Sequence, residues 1–392
     1  MGHMWGVNFI LPLLVVSLGV MLPVMKQDLD ITPVQAGMLG SVFFIGSATT
    51  SLPASVWLSR YSPKMVTGIA LFVAGILAFV QGWAPTYLVL LAARFLFTFA
   101  MVARIQAEVL LIQQWFAPRQ VALVVSVTVG VFACGQMVAV GLTPSLITFL
   151  SGWRQVYYAV GVILLLGAVF WMFVGRDRVQ LAPTDVPVTS PPSPLAILRR
   201  MKSLWALAAC PAGAALAWAS VLTFWPTHAL DKLSLPLSSV GVLMTLFPLG
   251  GTAASFLAGP ISDRIRQRKI FILAPGILLP PIYVALFMVT SPVLAGILLL
   301  VAGWNAMVWV PIIRTIPFDL KLAPRETAVV VGLSMTIVPI GGAIGPPLVG
   351  LIEELSGSLQ YGLLSVAVFP LTLLVGGLLI PETSPYRMDR AN

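Results

Sequence analysis

Apolar stretches of about 20 residues recur along this chain from Trp5 to Ile380, each closed by a short polar or proline-containing break. A helix of that length matches the ~30 Å hydrocarbon core of a bilayer, whereas a spanning β-strand would alternate apolar and polar residues over shorter segments. The pattern predicts twelve helices, at 5–25, 36–58, 65–83, 86–114, 121–147, 154–175, 203–228, 238–260, 269–290, 292–318, 327–352 and 359–380. The longest polar interruption is "RDRVQLAPTDVPVTSPPSPLAILRRMK", residues 176–202, whose prolines at 183, 187, 191, 192 and 194 cannot continue a helix. It reads as an extended linker between an N-terminal six-helix bundle (1–175) and a C-terminal six-helix bundle with a short tail (203–392).

Composition agrees with the pattern. The chain is 59% hydrophobic and 9% charged, with a mean hydropathy of +1.00. A soluble domain carries roughly 25% charged residues, so this chain is expected to be an all-α integral membrane protein. Its net charge of +9 would suggest nucleic acid, but the placement of the charges argues otherwise. With the N-terminus inside, sixteen lysines and arginines fall on the cytoplasmic side, and only Lys26, Arg154 and Lys232 on the other. The positive-inside rule then puts both termini in the cytoplasm of a multi-pass protein of the inner (plasma) membrane. Cys134 and Cys210 lie within predicted helices and read as packing residues, with no disulfide framework. The opening "MGHM" reads as an added tag remnant, so His3 receives no weight, and no cleavable signal peptide is expected.

The two halves match each other. "AGMLGSVFFIGSATTSLPASVWLSRY" (36–61) lies over "VGVLMTLFPLGGTAASFLAGPISDRI" (240–265) at an offset of 204, and "APRQVALVV" (117–125) over "APRETAVVV" (323–331) at an offset of 206. Such internal repeats mark secondary transporters in which two bundles rock about a central site.

On these residues the chain resembles the major facilitator superfamily along nearly its whole length. "GPISDRIRQRK" (259–269) is similar to the family's glycine–aspartate–arginine loop, which implies a capping or gating role for Asp263. The equivalent first-half loop, "ASVWLSRYSPK" (54–64), has Ser55 and Ser59 where that pattern has glycine and aspartate. "AARFLFTF" (92–99) resembles the fourth-helix arginine motif. "WFAPRQ" (115–120) and "GWRQVYY" (152–158) resemble loops of the anion-transporting and cyanate/nitrate-type branches. The resemblance implies two pseudo-symmetric six-helix bundles, the major facilitator fold. Helix 5, "GVFACGQMVAVGLTPSL" (130–146), lacks the glycine–proline motif of the drug-exporting branch.

Four charged residues fall well inside the predicted spans: Arg94, Arg104, Glu108 and Arg314. Charge at bilayer depth is expensive, ~2.5–3.5 kcal/mol for an arginine at a helix centre, and therefore usually functional. Arg94 either stabilises the bundle through backbone and polar partners or takes part in coupling. Arg104 and Glu108, at i and i+4, share one helix face. They either neutralise each other so that the helix can insert, or Glu108 pairs across a gate with Arg314, which stands 206 residues on; the gate is the reading favoured. Arg104 would then be free to attract an anion, since its planar fork suits carboxylates and oxyanions. Gln106, Gln136, Ser220, Thr223, Trp304 and Asn305 are further candidates to line the path, each also explicable as a helix-packing residue. His228, beside Asp231, reads as a rim or interfacial group.

The expected function is secondary transport of a small organic or inorganic anion by alternating access, with protons as candidate coupling ions at Glu108. The expected partners are that small-molecule substrate and membrane lipid, with no nucleic acid, no cofactor and a monomeric chain. Export of amphipathic drugs would call for an acidic cavity, against three buried arginines and one buried glutamate. A non-transporting receptor would be expected to carry a soluble domain. An enzyme is disfavoured, because no phosphate-binding loop, His-Glu-x-x-His or metal cluster is present in the sequence.

Overall fold

The computed structural model describes residues 2–58, 61–177, 202–319, 324–380 and 382. Most of the expected linker, Ser59, the side chain of Ser55 and the side chains of "APRETAVVV" lie outside the described residues. Among the described residues all regular structure is helical, and the chain gathers into two compact units, Met1–Pro187 and Val188–Asn392.

Unit 1 runs α1 (Gly2–Ile10), α2 (Pro12–Val15), α3 (Leu18–Leu29), α4 (Pro33–Leu58), α5 (Pro63–Trp83), α6 (Tyr87–Trp115), α7 (Pro118–Phe149) and α8 (Trp153–Val174). Unit 2 runs α9 (Lys202–Ala209), α10 (Pro211–Leu233), α11 (Leu237–Ile265), α12 (Ile270–Met288), α13 (Pro292–Met307), α14 (Trp309–Asp319), α15 (Pro324–Ser356), α16 (Leu359–Val366) and α17 (Leu371–Leu379). Among the described residues ten helical stretches are long and apolar enough to cross a membrane, three of them (Trp205–Leu233, Pro292–Ile316 and Leu359–Leu379) running through a short break between labelled helices. An eleventh is added if Gly2–Val15 and Leu18–Leu29, bent by 42°, count as one span. The remaining expected position is filled by the 26-residue α4.

Four expected spans are interrupted rather than continuous, and proline gives the reason. A proline has no N–H for the carbonyl four residues earlier, so the helical ladder is weakened at that point. Pro12, Pro211, Pro311 and Pro370 leave the carbonyls of Asn8, Leu207, Met307 and Val366 without that partner, and α1, α9, α13 and α16 end within two residues of those carbonyls. At Leu207 the thiol of Cys210 donates to the freed carbonyl at 3.8 Å. Elsewhere proline opens helices at the first position, as at Pro63, where the Ser62 hydroxyl caps by accepting from Met65 N at 3.2 Å.

The inner packing relies on close backbone approach. A Cβ on Gly135 of α7 would collide with the Phe9 carbonyl of α1, and one on Gly303 of α13 with the Phe247 carbonyl of α11. Small residues at helix crossings are how membrane bundles gain contact without a hydrophobic driving force. The opening residues belong to this packing: Met4 is fully buried, and the His3 ring lies 5.6 Å from that of Trp171 and 5.3 Å from that of Phe170. His3 is thus an integral packing residue of unit 1, contrary to the expectation of an idle tag.

Two local devices recur at the repeat offset. Asp30 after α3 and Ser234 after α10 stand 204 residues apart, both closing helices in the left-handed region, at φ 49° and φ 51°. Asp177, just past α8, accepts from Lys64 N at 2.9 Å and from the Ser62 hydroxyl, capping the start of α5. Glu382, 205 residues on, accepts from Arg268 N at 2.8 Å and Lys269 N at 3.2 Å at the start of α12. In each unit, then, a carboxylate following the last helix meets the free N–H groups and positive end of the third span.

Candidate functional site

The fourth span, α6, brings the buried charges of unit 1 into two layers. In the first, Arg94 is 3% exposed and its guanidinium is surrounded by acceptors. It donates to the carbonyls of Leu14 at 2.8 Å, Val15 at 3.1 Å and Leu39 at 3.1 Å, and to the Tyr157 hydroxyl at 3.4 Å. Leu14 and Val15 stand where the first span bends, so Arg94 meets carbonyls that the interrupted ladder exposes. These are the backbone and polar partners expected of a bundle-stabilising arginine.

The second layer lies up to four helical turns further along α6. Arg104 and Glu108 are 1% and 4% exposed. Arg104 Nη1 donates to Glu108 Oε2 at 3.1 Å. Asn8 of α1, 3% exposed, closes the set: its Nδ2 donates to Glu108 Oε1 at 2.8 Å, and its Oδ1 accepts from Arg104 Nη2. The amide orientation is fixed by charge, with its oxygen toward the cation and its nitrogen toward the anion. Arg104 Nε is buried and has no partner among the described residues. The set thus balances one positive and one negative charge, leaving an unmet donor on the guanidinium.

Asn8 was not singled out by the sequence reading. Its signal is a lone carboxamide in the apolar run of the first span, one turn before Pro12. Two contacts fix its position. Trp5 Nε1 donates to Thr128 Oγ1 of α7 at 3.0 Å, and Gly135 allows α7 to approach Phe9 closely.

The other expected site residues are distributed less simply. Gln106 is half-buried and stands two positions from Arg104, about 200° round the helix, so it does not share the Arg104–Glu108 face. Gln136 is half-buried on α7, next to the Gly135 crossing. Ser220 and Thr223 on α10 are buried, and their hydroxyls donate within the helix to Leu216 O at 2.9 Å and Ala219 O at 2.8 Å. Ser220 also lies under Gly345 of α15, where a Cβ would come within 2.6 Å of its hydroxyl. On α13, Trp304 is half-buried, and Asn305 Nδ2 donates to Val301 O at 2.9 Å.

Arg314 on α14 is exposed and forms no ion pair among the described residues of its own unit. Asp263 has an exposed side chain paired with Arg268 at 2.8 Å, and Arg268 also reaches Asp319 at 3.1 Å and Ser262 Oγ at 3.3 Å. The loop carboxylate is thereby held within its own unit. His228 is buried with Nε2 3.0 Å from Phe287 O, a packed interior histidine rather than a rim group. Among the described residues no group of His, Cys, Asp or Glu is arranged to hold a metal.

Long apolar helices, proline-interrupted spans, a recurring local architecture and a buried Arg–Glu–Asn set define a multi-pass α-helical membrane protein. The family model of the Major Facilitator Superfamily matches residues 4–346 and 210–391, and the chain belongs to that superfamily. It is 24% identical over 260 residues to the hexuronate transporter of Bacillus subtilis, covering 64% of this chain and 61% of that protein. It is 22% identical over 282 residues to the probable L-galactonate transporter of Escherichia coli, covering 66% of this chain and 61% of that one. The chain therefore spans about three fifths of the length of these relatives. Among solved structures, a bacterial homologue of the human lysosomal transporter Spinster superposes with a TM-score of 0.77 at 16% identity, covering 96% of this chain and 92% of that one. That likeness is one of fold.

Proposed function

We propose that the chain is a secondary transporter of a small organic anion, working by alternating access and coupled to protons. The observation that carries this reading is the buried Asn8–Arg104–Glu108 set with its unmet Nε–H. A buried guanidinium offering an unused donor suits a carboxylate, which it can bind through paired N–H groups. The relatives' names add support, since hexuronate and galactonate are sugar acids carrying one carboxylate.

Charge balance supplies the coupling. Arg104 and Glu108 together are neutral, so a monoanion bound at Arg104 leaves the buried site at minus one. Breaking a buried pair strands a charge at a cost of ~3–5 kcal/mol. A proton on Glu108 restores neutrality, so anion and proton travel together. Arg94 holds the bend of the first span, and Gln136, beside the Gly135 crossing of α7 on α1, is a candidate to line the path. Thr223, Trp304 and Asn305 are the candidates from the second half, and Asp263 remains a candidate for gating. Arg314 remains the candidate partner for Glu108 in a closed gate; to pair with it, Glu108 must share or give up a bond to Arg104 or Asn8.

The domain reading is two six-helix bundles, 1–175 and 203–392, joined by the linker at 176–202. The excess of basic residues on one side supports a plasma-membrane protein with both termini cytoplasmic. A thermal-shift screen of the purified chain against sugar acids, inorganic anions and organic cations tests the substrate class. A ligand that binds only the folded state raises the melting temperature by mass action. Stabilisation by anions that disappears in Arg104→Gln is expected; stabilisation by cations alone would refute the reading.

A further inference from the structure

Asn8 stands between the two charges, its carboxamide oxygen accepting from Arg104 Nη2 and its nitrogen donating to Glu108 Oε1. Glu108 Oε2 is the oxygen that Arg104 Nη1 holds, at 3.1 Å. The bond to a cation keeps negative charge on Oε2, so a proton is accepted at Oε1, which faces a neutral amide. Within this set Asn8 Oδ1 is the one acceptor outside the carboxylate, because a guanidinium has donors alone. Held in its present sense, the amide would set two donors against each other, its Nδ2–H and the new Oε1–H.

We infer that Asn8 is a polarity inverter: when Glu108 takes up a proton, the Asn8 carboxamide makes a half-turn and presents N–H instead of oxygen to the anion site at Arg104. This deepens the proposed function and rests on its proton-coupling step. In that step a hydronium ion gives its proton to a lone pair of Glu108 Oε1 and leaves as water. No electrons are exchanged. The amide turns about its last torsion, which is broad and roughly two-fold, so oxygen and nitrogen exchange places at almost unchanged shape. Oε1–H then donates to Oδ1, Oε2 keeps its bond from Arg104 as a carbonyl oxygen, and Nδ2–H arrives beside Arg104 Nη2.

The exchange changes what an arriving anion meets. With Glu108 ionised, Oδ1 lies against Nη2, and its partial negative charge opposes an anion there. With Glu108 neutral, Nδ2–H and the released Nη2–H both need an acceptor. The buried Nε–H of the same guanidinium already lacks one among the described residues. Nε–H and an Nη2–H run along one edge of the fork, so a carboxylate can accept from that edge and from Asn8 together.

The charged or titratable groups on the elements around Glu108 are few. Its own helix carries Tyr87 and Arg94 toward the other end, and α1 carries His3, packed on Phe170 and Trp171. The sequence of α4 holds no charged or titratable residue. That of α5 holds only Lys64 at its first turn, and that of α7 only Arg119 at its start and the exposed Cys134.

Solid-state NMR of the full chain in lipid vesicles reads the turn directly, because the chain has only three asparagines, Asn8, Asn305 and Asn392. Asparagine carries nitrogen-15 in its side chain, and arginine and glutamate carry carbon-13. The signals missing in Asn8→Leu and Glu108→Gln assign the two groups. At alkaline pH Nδ2 should couple more strongly to Glu108 Cδ than to Arg104 Cζ, and at acidic pH the order should reverse. A Glu108 carboxyl that takes its proton while Nδ2 keeps the stronger coupling to it overturns the inference. A Glu108 carboxyl that stays ionised at every pH, with and without glucuronate, instead defeats the proton-coupling reading on which it rests. Calorimetry adds a readout that packing alone would not move, the ratio of glucuronate affinity at acidic pH to that at alkaline pH. Asn8→Leu should lower this ratio at least ~10-fold, the worth of one hydrogen bond to a charged group. A ratio equal to the wild type's overturns the inference as well.

Discussion

Replacing Glu108 with glutamine separates a bound anion site from a merely neutralised pair. Glutamine keeps the side-chain length and an acceptor oxygen for Asn8 but removes the charge that faces Arg104 at 3.1 Å. The guanidinium, 1% exposed, is then left without a counter-ion among the described residues of unit 1. Stranding one member of a buried pair costs ~3–5 kcal/mol, in line with ~4 kcal/mol for unit charges 4 Å apart at an effective dielectric of 20. The ligand-free variant should therefore unfold at a lower temperature than the wild type. An added monoanion becomes the missing counter-ion, and at 100 times its Kd it returns ~2.7 kcal/mol by mass action. Affinity for a sugar-acid monoanion at neutral pH should rise at least ~10-fold, equivalent to ~1.4 kcal/mol. The assay is thermal unfolding in detergent, titrated with glucuronate against chloride at matched ionic strength, with calorimetry for affinity. A variant that melts with the wild type and binds the anion no better would refute the reasoning.

Three further outcomes follow from the same geometry. Arg94→Leu should strongly destabilise the protein, because the carbonyls of Leu14, Val15 and Leu39 lose their donor at ~1–3 kcal/mol for each one left buried and unmet; melting and expression level report it. Gly303→Ala should destabilise by ~1–3 kcal/mol through overpacking against the Phe247 carbonyl, while Gly259→Ala, whose Cβ meets nothing within 4 Å, should melt as the wild type does. Single cysteines introduced in 176–202 should react with membrane-impermeant reagents only when the cytoplasmic face is accessible; labelling from outside intact cells would overturn the orientation.

The spans were legible because a bilayer imposes length and hydropathy on every crossing. The interruptions were not read, although each carries a sequence signal. Pro12, Pro211, Pro311 and Pro370 leave particular carbonyls unmatched, whereas the prolines at 248, 260, 275 and 339 lie inside continuous helices. Sequence alone does not say which proline is tolerated, because neighbouring helices decide it. At the site, the i,i+4 spacing located Arg104 and Glu108, but their third partner is 96 residues from Arg104, and nothing local marks Asn8 as reaching α6. Ser220 and Thr223 each donate to their own helix four residues back, a bond that the sequence pattern alone does not reveal. Resemblance drew attention to the Asp263 loop. The carboxylates that cap the third span of each unit, Asp177 and Glu382, were passed over because they fall in polar ends.

The central claim is that an anion enters at Arg104 together with a proton on Glu108. Its most direct test is proton movement during anion uptake by the reconstituted chain, followed with a trapped pH dye and labelled glucuronate, galactonate and nitrate. The account predicts that at least one of these anions enters down an imposed proton gradient, one proton with each monoanion, and that Arg104→Gln abolishes both fluxes while Arg104→Lys restores part of them. Uptake that moves no protons, or that persists unchanged in Arg104→Gln, would contradict it.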